Sequence, residues 1–164
     1  MTQIRAYGQA IIKTHLKIHK VIDGDGLIVV NMFGKQEEEI RLLGIDAPEI
    51  KRCRKLLQDE RETHLPGQLL MELGSKSKKF LSELVPVGSH VTLQMERVNG
   101  YDVYGRTLAY AFLQEGTCIN EVMIKEGYAK PYNRYGCLAL ADYQQLNIRA
   151  RAEGKGLYQM VANF

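Results

Sequence analysis

The order of strand-forming and helix-forming segments is the feature that most constrains how this chain can fold. The first 45 residues hold three segments rich in β-branched and aliphatic residues, separated by glycine-containing turns, at 10–21, 27–30 and 39–45. Apolar side chains then recur at three- and four-residue steps from Leu69 to Leu84. This spacing predicts an amphipathic helix that begins at Pro66 and is ended by Pro86.

Two further strands follow this helix, at 91–98 and 107–113, and two shorter helices complete the pattern. Asn120 is expected to cap a helix that ends at Gly127, and a last helix is expected over 139–150. The polar stretch 51–65 shows no clear period and is interpreted as a loop or an irregular helical start. Five strands with a helix after the third match an α+β fold built on a five-stranded OB-type barrel, with about three helices.

Length and composition add few limits. The 164 residues, 45% of them hydrophobic, fit one domain, which we expect to span residues 1–164 and to be a monomer. The net charge of +3, from 22 basic and 19 acidic residues, permits a nucleic-acid partner if the basic residues cluster. The cysteines form no Cys-x-x-Cys pair, so neither a cysteine zinc site nor a disulfide framework is expected.

The distribution of apolar residues argues against a membrane partner. No segment approaches the roughly 20 apolar residues that span a bilayer. The start of the chain, residues 1–20, has no apolar core of the kind that signal peptides carry. As numbered, the protein is therefore expected to be cytoplasmic, or secreted or periplasmic if a leader was removed.

Three short segments carry residues suited to chemistry: Asp23-Gly24-Asp25, the stretch 41–49, and the stretch 101–106. Taken singly, each has an ordinary structural interpretation: a turn between strands, a strand that runs into a proline turn, and a loop that enters a strand. Taken together, they supply every group that phosphodiester hydrolysis requires.

That reaction needs a hard cation held by carboxylates, a base for the attacking water, and fixed donors where negative charge gathers. Asp25 and Asp46 are the candidate cation ligands. Glu49 is the candidate base, because it lies three residues beyond Asp46 and can reach the same cation. Arg41 and Arg106 can each bind phosphate through two N–H groups.

The same segments resemble those of the staphylococcal-nuclease-like, or thermonuclease, family. The likeness extends over residues 19–158, with 50–66 poorly matched. It rests on three runs in combination: Asp-Gly-Asp, Arg-Leu-Leu-Gly-Ile-Asp-Ala-Pro-Glu and Tyr-Gly-Arg-Thr-Leu-Ala-Tyr. The resemblance implies a nuclease that hydrolyses both DNA and RNA, prefers single strands and leaves 3′-phosphate ends.

The resemblance also implies a cofactor and a substrate pocket. Calcium (Ca²⁺) is the implied cofactor, bound by the side chains of Asp25 and Asp46 and by the backbone carbonyl of Ala47. Tyr104, with Tyr132 or Tyr135, is implied to line the nucleotide pocket. Ala47 stands where the family can have threonine, and a carbonyl ligand survives that change.

Two alternatives stay open at this point. The basic run 51–55 is by default a solvated loop, and the functional alternative is that the run follows the substrate backbone, with Lys51 and Arg52 as candidate substrate contacts. For the whole chain, the alternative is a non-catalytic module that binds nucleic acid or a peptide on the same barrel. A cluster of carboxylates repels phosphate unless a cation sits in it, which favours the nuclease.

Overall fold

The structure, a computed structural model, describes residues 10–164 and has an α+β fold around a closed barrel. In chain order the elements are β1 (Ala10–Asp23), β2 (Gly26–Asn31), β3 (Glu37–Leu42), β4 (Ile45–Asp46), α1 (Arg54–Thr63), α2 (Gly67–Leu84), β5 (His90–Glu96), β6 (Thr107–Leu113), α3 (Ile119–Lys125), β7 (Lys130–Pro131), α4 (Leu140–Ala152) and a 3₁₀ helix, Gly156–Gln159. The barrel strands run in the order β1-β2-β3-β6-β5. The predicted five-stranded barrel is therefore confirmed.

Closure of the barrel depends on β1, which is 14 residues long and pairs with a strand on each edge. Its register with β5 shifts between Lys13 and Leu16, and His15 within that bulge has a φ of 59°. A bulge of this kind bends a strand and lets it pass from one neighbour to the other. On the other side, β3 and β6 pair in parallel, with Arg41 opposite Leu108.

Two clusters of buried apolar side chains hold the elements together. The larger fills the barrel and the space beneath α3 and α4, and includes Leu27, Ile40 and Leu93. The smaller joins α1 and α2 to the C-terminal segment through Leu56, Leu70, Leu73, Leu157 and Phe164. Helix α1 is thus part of the packed structure.

The structure corrects the interpretation of residues 51–65. This stretch contains a regular helix, α1, which is 10 residues long. Only Leu56 and Asp59 are buried on it, so the apolar period that identifies most helices is nearly absent from its sequence. With α1 there are four α-helices among the described residues, one more than expected, and none of these is both long and apolar enough to cross a membrane.

The type of residue 120 predicts a helix cap, but Asn120 does not cap a helix in the structure. Helix α3 starts after Cys118, and Asn120 lies inside it with its side chain fully buried. The amide oxygen accepts a hydrogen bond from the Ala111 N–H at 3.0 Å, and the amide nitrogen donates to the carbonyls of Leu43 and Ala109 at 2.9 and 3.1 Å. Asn120 therefore ties α3 to the barrel.

Candidate active site

Turn geometry brings Arg41 and the two candidate aspartates together. Arg41 on β3 pairs with Gly26, the residue that follows Asp25. The strand expected over 39–45 is broken after Leu42, where Gly44 has a φ of +80° that favours glycine. Asp46 consequently lies in the separate short strand β4, where its carboxylate is within reach of the Arg41 side chain.

The guanidinium of Arg41 connects both aspartates. Its Nη1 lies 3.1 Å from Asp25 Oδ2, and its Nη2 lies 3.3 Å from Asp46 Oδ1. Nη1 also donates a hydrogen bond to the Ile45 carbonyl at 3.0 Å. All three charged side chains are buried. Burial opposes the charge on Arg41, but the neighbouring carboxylates outweigh it and raise the pKa of Arg41.

Asp25 also holds the backbone of Ala47. Asp25 Oδ2 accepts a hydrogen bond from the Ala47 N–H at 2.8 Å. Burial raises the pKa of Asp25 to about 7, although Arg41 acts in the opposite direction. The turn that contains Gly24 packs tightly against Ala47 and Ser77, since a Cβ at Gly24 would lie 2.6 Å from the Cβ atoms of both residues. The side chain of Asp25 and the backbone of Ala47 are therefore fixed relative to each other.

Glu49 lies beside this cluster and is half-buried. Burial raises its pKa to about 7, with the Asp25 carboxylate adding to the rise and Lys55 opposing it. Its backbone rests on α2, since a Cβ at Gly74 would lie 2.5 Å from the Pro48 carbonyl oxygen and 2.6 Å from that of Glu49. A carboxyl group with a pKa near neutrality suits a general base.

Arg106 stands in a different setting, in the loop that leads into β6. Its Nε donates a hydrogen bond to Asp102 Oδ2 at 2.7 Å, and its Nη1 lies 4.0 Å from Glu39 Oε1. Asp102 is buried, and its Oδ1 accepts the backbone N–H groups of both Tyr104 and Arg106 at 2.9 Å. The guanidinium is about a quarter exposed, with a side-chain exposure of 28%.

The three predicted tyrosines lie next to cations. The Tyr104 ring is exposed and has the Arg106 Cζ 5.6 Å from its centroid. The Tyr132 ring has the Arg41 Cζ at 5.6 Å and the Lys55 Nζ at 6.0 Å. Tyr135 is half-buried, packs against the barrel core and contacts Arg134. Of the three, Tyr132 is placed against the Arg41 cluster itself.

The basic run 51–55 divides into two parts. Lys51 and Arg52, the predicted substrate contacts, are exposed just before α1, and Arg54 is exposed at its start. Lys55 is turned inward. Its Nζ donates to Asp46 Oδ2 at 2.9 Å and to both oxygens of Asp59, at 2.8 and 2.9 Å.

Sequence reasoning treated Lys55 only as part of the basic run that could follow the substrate backbone, and it assigned no role to Asp59 or Asp102. The first two form an i,i+4 pair, a signal that becomes visible only if residues 54–63 are recognised as a helix. Asp102 lies in the stretch 101–106, and an Asp at the start of a tight loop commonly accepts backbone N–H groups, as it does here.

The donors present fit a hard divalent cation. Asp25 and Asp46 offer buried carboxylate oxygens, the donor type that calcium prefers. Within residues 10–164, no group of three or more His, Cys, Asp or Glu side chains is arranged to hold a metal ion. A cation bound here would therefore complete its shell with water, and its positive neighbours would be Arg41 and Lys55.

Comparison of the sequence with those of known proteins shows the family to which the chain belongs. Endonuclease YhcR of Bacillus subtilis is 26% identical over 145 residues, which cover 86% of this chain and 11% of that protein. An uncharacterized protein of Methanocaldococcus jannaschii is 32% identical, over 71% of this chain and 58% of its own length. The thermonuclease of Staphylococcus intermedius is 31% identical over 144 residues, which cover 82% of this chain and 75% of that protein.

The chain thus spans only about a ninth and somewhat over half of the first two of these relatives (11% and 58%). The sequence model described as "Staphylococcal nuclease homologue" matches residues 39–160, which run from β3 to the C-terminal segment. That match covers most of the chain and includes Arg41, Asp46, Glu49 and Arg106. The chain therefore belongs to the staphylococcal nuclease homologue family.

Proposed function

We propose that this chain is a calcium-dependent nuclease that hydrolyses the phosphodiester bonds of DNA and RNA. The observation that carries the proposal is the buried unit of Asp25, Arg41 and Asp46, with Glu49 beside it. Two relatives, named as an endonuclease and a thermonuclease, add support. A preference for single strands and 3′-phosphate products are the finer parts of the proposal.

The proposed roles follow from where each group is held. Glu49 accepts a proton from the attacking water, because its pKa of about 7 leaves it partly deprotonated at neutral pH. Arg41 and Arg106 donate N–H groups to phosphoryl oxygens, where negative charge increases as the bond breaks. Asp102 holds the Arg106 side chain in place through the Nε contact, which does not use the two terminal nitrogens of the guanidinium.

Asp25, Asp46 and the Ala47 carbonyl are proposed to hold the calcium ion. When bound, a cation of this kind neutralises a phosphate oxygen and orients the attacking water. The exposed ring of Tyr104 and the half-buried ring of Tyr132 are proposed to contact the nucleotide next to the scissile phosphate. Aromatic stacking accepts every base, which agrees with activity on both DNA and RNA.

The alternative is a non-catalytic module that binds nucleic acid or a peptide on the same barrel. One observation favours it: Arg41 and Lys55 already pair with both oxygens of Asp46, so the carboxylates are partly neutralised from within. Against it, a binding module has no need for a half-buried carboxyl group such as Glu49 beside the site, because such a group repels phosphate.

Incubation of the purified chain with labelled single-stranded DNA separates the two functions. Calcium should support cleavage, excess chelator should abolish it, and the products should carry 3′-phosphates that block extension by a polymerase until a phosphatase removes them. Equal cleavage with and without chelator would exclude the metal-dependent mechanism. Binding without cleavage in calcium would identify the module instead.

A further inference from the structure

Lys55 links helix α1 to the candidate active site. Its Nζ lies 2.9 Å from Asp46 Oδ2 and within 2.9 Å of both carboxylate oxygens of Asp59, its i,i+4 neighbour on the same helix. A lysine ammonium has three N–H groups, and these three acceptors account for them. The side chain is only 27% exposed, so the ammonium belongs to the partly buried interior of the site.

The two carboxylates that share Lys55 differ in their surroundings. Asp46 also receives Arg41 on its other oxygen, at 3.3 Å, and is a proposed calcium ligand. Asp59 faces the ammonium with both of its oxygens. Lys55 can therefore leave Asp46 and stay bound to Asp59, without any movement of α1.

A divalent cation on Asp46 would meet Lys55 at close range. Like charges a few ångströms apart at a partly buried site repel each other strongly. Metal binding and the contact between Lys55 and Asp46 must therefore oppose each other, and by reciprocity each weakens the other by the same factor.

We propose that Lys55 is a built-in competitor for calcium at Asp46 and that Asp59 is the acceptor that retains it when the metal binds. Helix α1 thereby sets the calcium affinity of the site. This inference rests on the proposed calcium site, and it assigns a task to the charged stretch 51–65.

The two partners of the pair should change calcium affinity in opposite directions. Lys55→Met removes the competitor, so the Kd for calcium measured by titration calorimetry should fall about tenfold, a usual size for coupling between neighbouring sites. Asp59→Asn removes the alternative acceptor and leaves the ammonium on Asp46, so Kd should rise. The double variant should bind calcium as tightly as Lys55→Met alone.

A matched control removes an equal charge elsewhere. Lys125→Met takes away an exposed lysine at the end of α3 and should leave the calcium Kd within about twofold of wild type, because exposed charges at a distance are screened. Thermal melts of each variant with chelator check that all remain folded. Loss of the α1 anchor alone cannot produce affinity changes of opposite sign.

Several outcomes would overturn the inference. An unchanged or weaker calcium affinity in Lys55→Met shows that the ammonium does not compete. A tighter affinity in Asp59→Asn shows the same, and equal changes in both variants would make the pair a purely structural anchor. If wild type and Lys55→Met both fail to bind calcium, this inference and the metal site fail together. Calcium-dependent cleavage with equal Kd values would overturn this inference alone.

Discussion

The two arginines proposed to act on phosphate are held in unlike ways. Arg41 is 7% exposed and already spans Asp25 and Asp46, so it organises the carboxylates in addition to its proposed role on phosphate. Arg106 is more exposed and is held at one nitrogen, Nε, by Asp102. Replacing either by lysine keeps the charge and removes the planar fork, but the consequences should differ.

Arg106→Lys should lower turnover by about 100-fold, the usual effect of losing one transition-state donor, while the Kd for a short oligonucleotide changes little. Arg41→Lys should lower turnover at least as much and should also lower the free energy of unfolding by roughly 1–3 kcal/mol, because two buried carboxylates lose their contacts with the guanidinium. Measurements of kcat, Kd and denaturant unfolding for both variants test this. Equal small losses of affinity and turnover in Arg106→Lys would contradict the transition-state role.

Glu49 offers a second test at the level of a single side chain. Glu49→Gln keeps the shape of the side chain and removes its ability to take a proton, so turnover should fall by about 10²–10⁴-fold, the usual contribution of a general base. Oligonucleotide affinity should be nearly unchanged. Near-normal turnover in single-turnover experiments would place the base elsewhere.

At the scale of the element, the strands and the long helix α2 were predictable because their apolar period is strong. Helix α1 was not, because it contributes only Leu56 and Asp59 to the interior and the second of these is charged. The position of Asn120 was also misjudged: its residue type is typical of helix caps, whereas tertiary hydrogen bonds place it inside α3.

For the site, the residue types and their order along the chain predicted which side chains could meet, and the structure brings Asp25, Arg41 and Asp46 into contact. Two features lay beyond sequence reasoning. The inward turn of Lys55 depends on the helical state of α1, and the division of the strand at Gly44 depends on its backbone angle.

The structure refines the expectation for the basic run. Lys51, Arg52 and Arg54 are exposed, whereas Lys55 is engaged by Asp46 and should be left unchanged. Changing the first three to serine should weaken binding of single-stranded DNA. The slope of log K against log salt concentration should become shallower by about 2 if each residue contacts one phosphate. The measurement is Kd over a series of salt concentrations.

A control of equal charge is available for that experiment. Lys76, Lys79 and Lys125 are exposed on α2 and α3, and changing them to serine should leave the salt slope close to that of wild type. If both triple variants lower the slope equally, the run 51–54 acts only through the net charge of the protein.

For the molecule as a whole, Asn120 joins the helical layer to the barrel. Asn120→Ala would leave the Ala111 N–H and the carbonyls of Leu43 and Ala109 buried without this partner, so the free energy of unfolding should fall by about 3 kcal/mol. Chemical denaturation measures this. The surface variant Gln144→Ala on α4 should change stability by less than about 0.5 kcal/mol, and an equally small loss in Asn120→Ala would contradict the bridging role.

Gly74 on α2 packs directly against the carbonyls of Pro48 and Glu49, since a Cβ at this glycine would lie 2.5–2.6 Å from their oxygens. The position of α2 therefore determines the position of the proposed base. Where side chains separate two elements, a small shift of one element can be compensated by a change of rotamer. Here the two backbones are in direct contact, so a shift of α2 is passed on to residues 48 and 49. Leu70 and Leu73 seat the same helix in the smaller core cluster. We therefore expect substitutions of Leu70 or Leu73 to shift α2 and displace Glu49. Such variants should lose turnover before they lose the fold.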